Sequence, residues 1–489
     1  MRTLLAALLI ATPALALDVT PWRAAHEPEI VGRLDELVRL PSVAANPKGL
    51  ADTAQRLTAL LNERGFKTQN WGTPAVVFGR YDVGARRTVV FYAHYDGQPV
   101  TPSQWSSDPF TPVMRENGRD LDWRAARPPF NPQWRLHARA AADDKAAIVA
   151  FLSAFDALKA AHKKPSVNID VLWEGEEEAG SPHLAQTLKD HAADLSADLW
   201  LIGDGPVHQS RTPTLYFGAR GGGGVEAIVY GPVKALHDGH YGNWAPNPAA
   251  MAAELITTLR APDGRIAVPG FADDATPLTP AERKAIADLP PVEGALKQEF
   301  GIAGGESDEP LTLSTMRPAL NIRGIRSGQV GPEAAGAIPV DAVISMDFRL
   351  VPGQEPARVK DKVESYLKAK GWTIVTAPPD GATRAAHGHI VQLKWGLGYP
   401  GFRSDMSSPA AKAVIAAASS AAGRPVAVLP MMGASVPIFM FDAQFHKPLI
   451  GLPIGNHDNN QHAANENIRL QNLWDGIAVY AAMMGELKW

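Results

Sequence analysis

The sequence predicts an α/β fold, with a smaller α+β domain inserted into the larger one. Three observations lead there. The runs "VVFYAH", "SVNIDVLWE" and "ADLWLI" are rich in β-branched and aromatic or alternating apolar residues, as buried strands are. Between the first two lies "DDKAAIVAFLSAFDALKAAHKK", whose apolar Ile148, Leu152, Phe155 and Leu158 recur at helical spacing. Strand, helix, strand, strand is the succession of an α/β architecture. Beyond Pro213 the composition shifts to strands, Pro/Gly-rich loops and short helices, and it returns to core-like segments after about residue 392. The expected organisation is a leader at 1–16, the larger domain at 17–213 and 393–489, and the inserted domain at 214–392.

A chain of 489 residues is too long for one core, which agrees with two domains. The formal net charge of -4 gives no electrostatic case for nucleic acid or an anionic membrane as partner. There are no cysteines, which removes disulfides, thiolate nucleophiles and Cys-ligated metal together. Any bound metal must be held by His, Asp and Glu. In "MRTLLAALLIATPALALD", Arg2, the apolar run Leu4–Ile10 and the small residues Ala14-Leu15-Ala16 form a secretory leader pattern. The expected location is outside the cytoplasm, most simply a bacterial periplasm. The Ala-rich run 410–422 is interrupted by Lys412 and Ser419-Ser420 and closed by Gly423 and Pro425, as a soluble helix is.

Taken in order, the strand exits carry polar residues. The first strand ends on His94, with Asp96 two positions on; Gly97 and Pro99 stop it. Asp143 and Asp144 stand at the start of the helix, where aspartate caps exposed amides. The second strand runs into the acidic cluster Glu174–Glu178, and the third into Asp204. Ligands of open α/β sheets collect at the carboxyl ends of strands. Carboxylates crowded there repel unless a cation neutralises them. "GNHDNNQHAANENI" adds His457 and His462, of which His457 reads as a loop residue. "GARGGGG" leads into another strand rather than a helix, so it lacks the helix N-terminus that a phosphate loop needs. No HExxH or GxSxG occurs.

Six motifs, in order, resemble the zinc-dependent exopeptidases and aminoacylases that include carnosinase-type dipeptidases, glutamate carboxypeptidase and succinyl-diaminopimelate desuccinylase. They are "YAHYDGQP", "ARAAADDKAA", "EGEEEAGS", "LIGDG", "ALHDGHYG" and "NQHAANENI", and they span nearly the whole mature chain. The resemblance implies a zinc-exopeptidase domain, a mixed sheet between helices, with the inserted domain as lid and dimerisation domain. It implies two Zn2+ ions, with Co2+ or Mn2+ as alternatives: His94 and Asp204 on one, Glu178 and His462 on the other, and Asp143 bridging both. Asp96 would orient His94, and Glu177 would be the general base for water activated between the ions. The resemblance further implies a cis peptide between Asp143 and Asp144.

It also implies a homodimer in which His237 reaches the partner's site and stabilises the oxyanion. Arg349 of "DFRLVPGQ" would hold the substrate carboxylate, and Gly433 and Ser435 of "MMGASVP" would line the same subsite. The activity implied is hydrolysis of amide bonds in dipeptides or at peptide C-termini. An N-acyl-amino-acid deacylase uses the same site on a different acyl group, and a non-catalytic peptide-binding dimer is the alternative from another class. Three departures concern substrate preference: Ala140 and Ala146 stand where the family has glycine, Ala434 where its loop has Gly-Gly-Ser, and residues 117–134 look like an extra loop.

Overall fold

The computed structural model describes residues 18–489, so the expected leader at 1–16 lies outside the described residues. Contacts divide the chain into two units. The first runs to Gly175 and resumes at Pro409–Val426 and Pro453–Trp489; the second comprises Glu176–Ser408 and Ala427–Leu452. The boundary expected at 214 coincides with the start of a strand, and the one at 392 falls inside a strand. Thr214–Tyr216 pairs with Ala427–Leu429, and Ile390–Tyr399 pairs with Gly221–Tyr230.

In the first unit, Thr88–His94 runs parallel to Asn168–Glu174, which is antiparallel to Val76–Tyr81, itself antiparallel to Lys67–Trp71. A parallel pair needs a crossover, and the helix Ala146–Ala160 lies within it. Its sequence is apolar on every side, so the helix belongs inside; Ala146 through Phe155 are all buried. Phe151 meets Phe91 and Trp173 edge-on, at 5.1 and 5.6 Å between ring centres. The equally buried Leu470–Gly485 packs against the same helix. A second sheet, wholly antiparallel, joins Asn467–Arg469, Arg135–His137, Val113–Glu116 and Arg119–Leu121. Part of the apparent extra loop at 117–134 is therefore hairpin: Asn117 and Gly118 take positive φ, 50° and 77°, and turn the chain. Trp123 and Phe130 then anchor the loop by burial.

The second unit contains two main groups of strands. Leu199–Ile202 is parallel to Leu449–Gly451, and Thr214–Tyr216 is parallel to Ala427–Leu429. The larger sheet orders Ala319–Arg326, Asp341–Leu350, Gly221–Tyr230, Ile390–Tyr399 and Thr373–Val375, antiparallel except for the last pair. Residues of Asp341–Leu350 alternate between half-buried and buried, so one face is covered. Met346, Phe348 and Leu350 pack there with Leu255 and Leu259 of the helix Pro248–Leu259 and with Val363 and Leu367 of Pro356–Ala369. Helices on one face of an antiparallel sheet make this the α+β part of the chain.

Candidate metal centre

His94 ends its strand fully buried, and the chain turns at once so that Asp96 faces it. His94 Nδ1 lies 3.4 Å from Asp96 Oδ1, and Nε2 lies 2.9 Å from Asp143 Oδ1. The other oxygen of Asp143 lies 3.2 Å from His462 Nε2 and accepts from Gln461 Nε2 at 2.8 Å. The first unit thus brings together four of the expected site residues: His94, Asp96, Asp143 and His462. Burial pushes the Asp143 carboxyl up, but hydrogen bonds to His462 and His94 and their positive charge hold it far below the usual carboxylate range. A buried carboxylate facing two imidazole nitrogens is a donor set suited to divalent cations of zinc type.

The turn carrying Asp143 departs from the expected helix start. Asp143 has φ −124° and ψ 85°, outside the helix, and no side chain caps Ala146–Ala160. Its carboxylate is engaged by imidazoles instead of amides, which corrects the capping expectation for both aspartates. The Asp143–Asp144 peptide is cis, as the resemblance implies. Ala140, where the family has glycine, takes φ 60° in the left-handed region that disfavours a side chain.

What secures this turn is Glu466, fully buried within "HAANE". One of its oxygens accepts from the amides of Ala142 and Asp143, at 2.9 and 3.1 Å. The other accepts from the amide of Ala140 and from Arg139 Nη1, at 3.0 and 2.8 Å. Burial and the charge of Asp143 push Glu466 up to about 7, against the pull of Arg139 and these amides. Lys145 braces the far side, its Nζ donating to the carbonyls of Leu37 and Leu40 at 2.9 and 2.8 Å. Motif reading passes over Glu466 because a carboxylate's tie to backbone amides leaves no spacing pattern. Its place in the last motif is the one signal.

In the second unit, Glu177 and Glu178 sit half-buried on the short turn Glu177–Ala179. The glycine of "EGEEE" is a packing requirement within the first unit: a Cβ on Gly175 would lie 2.4 Å from Tyr95 Oη. Asp204 is buried just beyond Leu199–Ile202, where Tyr216 Oη donates to its carbonyl at 2.9 Å. Tyr399 connects these acids with the expected substrate residues. Burial, then the negative charge of Glu177, push its phenol up to about 12; Asp204 adds to this, while Arg349 and a hydrogen bond with Ser435 oppose it. Arg349 donates from Nε to Asp347 at 2.8 Å and from Nη1 to Ser435 Oγ at 2.7 Å. Arg220, which sequence reading does not single out, donates from Nε to the carbonyl of Gly433 at 2.7 Å. His237 stands apart: it is exposed, accepts from the amide of Gly239 and faces His240 with ring centres 4.5 Å apart.

Comparison with known proteins agrees with this chemistry. The Cys-Gly metallodipeptidase dug1 of Schizosaccharomyces pombe is 26% identical over 484 residues, covering 94% of this chain and 95% of that one. The Beta-Ala-His dipeptidase of Homo sapiens is 26% identical over 505 residues, covering 97% and 93%. Among solved structures, the M20 family metallo-carboxypeptidase Sso-CP2 from Sulfolobus solfataricus superposes with a TM-score of 0.76 at 26% identity, covering 93% of this chain and 98% of that one. Residues 90–486, well over half of the chain, match the sequence profile of one family, and the protein belongs to it: Peptidase family M20/M25/M40.

Proposed function

We propose that the protein hydrolyses the amide bond of dipeptides, using divalent metal ions held by His94, Asp143, Glu178, Asp204 and His462. The observation that carries this reading is the buried Asp143 carboxylate, with one oxygen on each of two imidazoles. Candidate nitrogen and oxygen donors in each unit support it: His94, Asp143 and His462 in the first, Glu177, Glu178 and Asp204 in the second. We assign the first ion to His94 and Asp204 and the second to Glu178 and His462, with Asp143 shared and Glu177 kept for proton transfer. The relatives named as dipeptidases favour dipeptides over N-acyl amino acids and over a non-catalytic role.

Metal ions bound there would polarise the scissile carbonyl and acidify a water molecule. Glu177 takes the proton from that water and returns it to the departing amine. Asp96 fixes the ring of His94 so that Nε2 faces the centre. Arg349 and Ser435 hold the substrate's terminal carboxylate. Imidazole and carboxylate donors without sulfur suit zinc, with cobalt or manganese as substitutes.

We further propose a homodimer joined through the inserted domain, with His237 supplied to the partner's site. Exposed apolar residues in this part of the chain support it, among them Trp244 at 80% and Val330 at 85% of full exposure. Export to a periplasm through the leader at 1–16 is supported by its charged, apolar and small-residue sequence. A hydrolysis panel of dipeptides, N-acyl amino acids and dipeptide C-terminal amides tests the activity. The expected result is turnover of free dipeptides above both other classes, and faster deacylation of N-acyl amino acids would overturn it.

A further inference from the structure

The second unit holds a cavity of about 830 Å³, bounded by the loop 263–273, the helix Glu293–Phe300 and the segment 305–319. Its volume falls in the range of small-molecule pockets, about 300–1,000 Å³. Its lining includes none of the residues expected to bind metal or substrate. The buried part of the wall is apolar, formed by Val268, Phe271 and Leu296. Phe300 and Ile302, 61% and 47% exposed, carry that apolar surface outward.

The rest of the lining is charged, and its charges do not balance. Asp263 pairs with Arg265 at 3.3 Å, Glu309 with Arg317, and Glu306 with Arg260. Glu293 accepts from the amides of Val292 and Leu311, at 3.2 and 2.9 Å, and keeps its negative charge. Asp273 and Asp308 remain, both exposed and without an ion pair among the described residues. Only Lys297 stands against them as an ammonium with no ion pair there. A cavity that is apolar within and negative in excess suits an apolar molecule bearing a positive charge.

One element connects this cavity with the substrate side of the same unit. Leu311 and Ser314 of the short helix Leu311–Thr315 line the cavity. The next residue, Thr315, lies against Gly433: a Cβ on that glycine would come within 3.2 Å of Thr315 Cγ2. Gly433 stands two residues before Ser435, the partner of Arg349. A helix of five residues is marginal by itself, so a ligand packed on Leu311 and Ser314 would stabilise the arrangement in which Thr315 meets Gly433.

We propose that this cavity is an effector site for a small apolar amine. Its body would rest on Val268, Phe271 and Leu296 and its ammonium would face Asp273 and Asp308, and occupancy would tighten dipeptide binding through Thr315. Burial of the apolar body supplies affinity, and the carboxylates select for positive charge. The effector role rests on the dipeptidase reading above; the binding site does not.

The test uses phenethylamine and phenethyl alcohol, which share one apolar body and differ in charge. Calorimetry on the metal-loaded protein should find the amine bound about 10-fold tighter than the alcohol, the low end for a hydrogen bond to a charged group. Replacing both exposed acids, Asp273→Asn with Asp308→Asn, should erase that preference and leave Tm and dipeptide turnover without the amine unchanged. Equal binding of the two probes, or a preference that survives both substitutions, overturns the site, whether or not the protein cleaves dipeptides. In Glu177→Gln, saturating amine should tighten dipeptide binding about 5-fold or more, and the dipeptide should tighten amine binding by the same factor. Thr315→Ala should keep amine binding and lose this mutual effect. Displacement of the amine by the dipeptide would place it in the metal centre and refute the proposal, and independent binding of the two would overturn the effector role.

Discussion

The surroundings of Asp143 in the first unit and those of Gly222 in the second follow opposite rules. Around Asp143 the polar groups are tied down: the buried His94, the exposed His462 and the half-buried Gln461 on its carboxylate, and Glu466 on its backbone. Around Gly222 the sheet leaves room for a methyl group, and the guanidiniums of Arg220 and Arg349 keep donors that the described residues do not use. The difference teaches what each region serves. Cations of fixed charge and size are best held by ligands oriented in advance, whereas a substrate that must enter and leave needs donors held ready but not engaged.

Breaking the chemistry while keeping both regions should have the largest effect. Glu177→Gln is expected to lower kcat about 10²–10⁴-fold, the usual worth of a general base, while elemental analysis finds wild-type metal content. Near-normal turnover would remove Glu177 from that role. Next comes His237→Ala, expected to cost about 10²–10³-fold as the loss of one oxyanion donor. Mixing it with Glu177→Gln under subunit exchange sharpens the point. One site of the heterodimer would combine an intact Glu177 with the partner's His237, so activity should partly return. Return to no more than the sum of the separate variants, with exchange proven, would place His237 within its own chain or outside catalysis.

The tied-down region is tested through Glu466, which touches the Asp143 turn only by hydrogen bonds to backbone and Arg139. Glu466→Gln should weaken metal affinity about 10–100-fold, as expected for a residue that orients ligands, and excess metal should restore turnover. Lost activity with undiminished affinity would contradict the clamp. The smallest effect concerns His137, which lies in the strand Arg135–His137 and is pushed down to about 4, chiefly by burial. Between pH 6.5 and 4 the unfolded chain binds more protons there than the folded one, so stability falls as pH falls through this window. His137→Gln should flatten that slope by about 1–2 kcal/mol, after allowance for partial exposure. An unchanged Tm–pH profile would count against it.

Much of this was legible in the sequence because strands and metal chemistry leave local marks. His94, Asp143, Glu178, Asp204 and His462 each lie in a short motif at the end of a predictable element. Elements such as Thr88–His94 and Pro356–Ala369 declare themselves by periodicity. Contacts between distant strands leave no such mark. Tyr399 becomes a partner of Arg349 only through the register of three strands, and Glu466 meets Asp143 across more than three hundred residues of chain. The capping expectation for Asp143 and Asp144 failed for a related reason. The local rule is sound, but imidazoles from elsewhere in the fold claim the Asp143 carboxylate.

The central claim, metal-dependent hydrolysis of dipeptides, is tested most directly by stripping the purified protein with a chelator and adding zinc back. Dipeptide turnover and bound zinc per chain are followed in the same titration. Turnover is predicted to be absent from the metal-free protein and to return on zinc addition, reaching its plateau as a second ion binds each chain. Full turnover in protein proven free of metal would contradict the account.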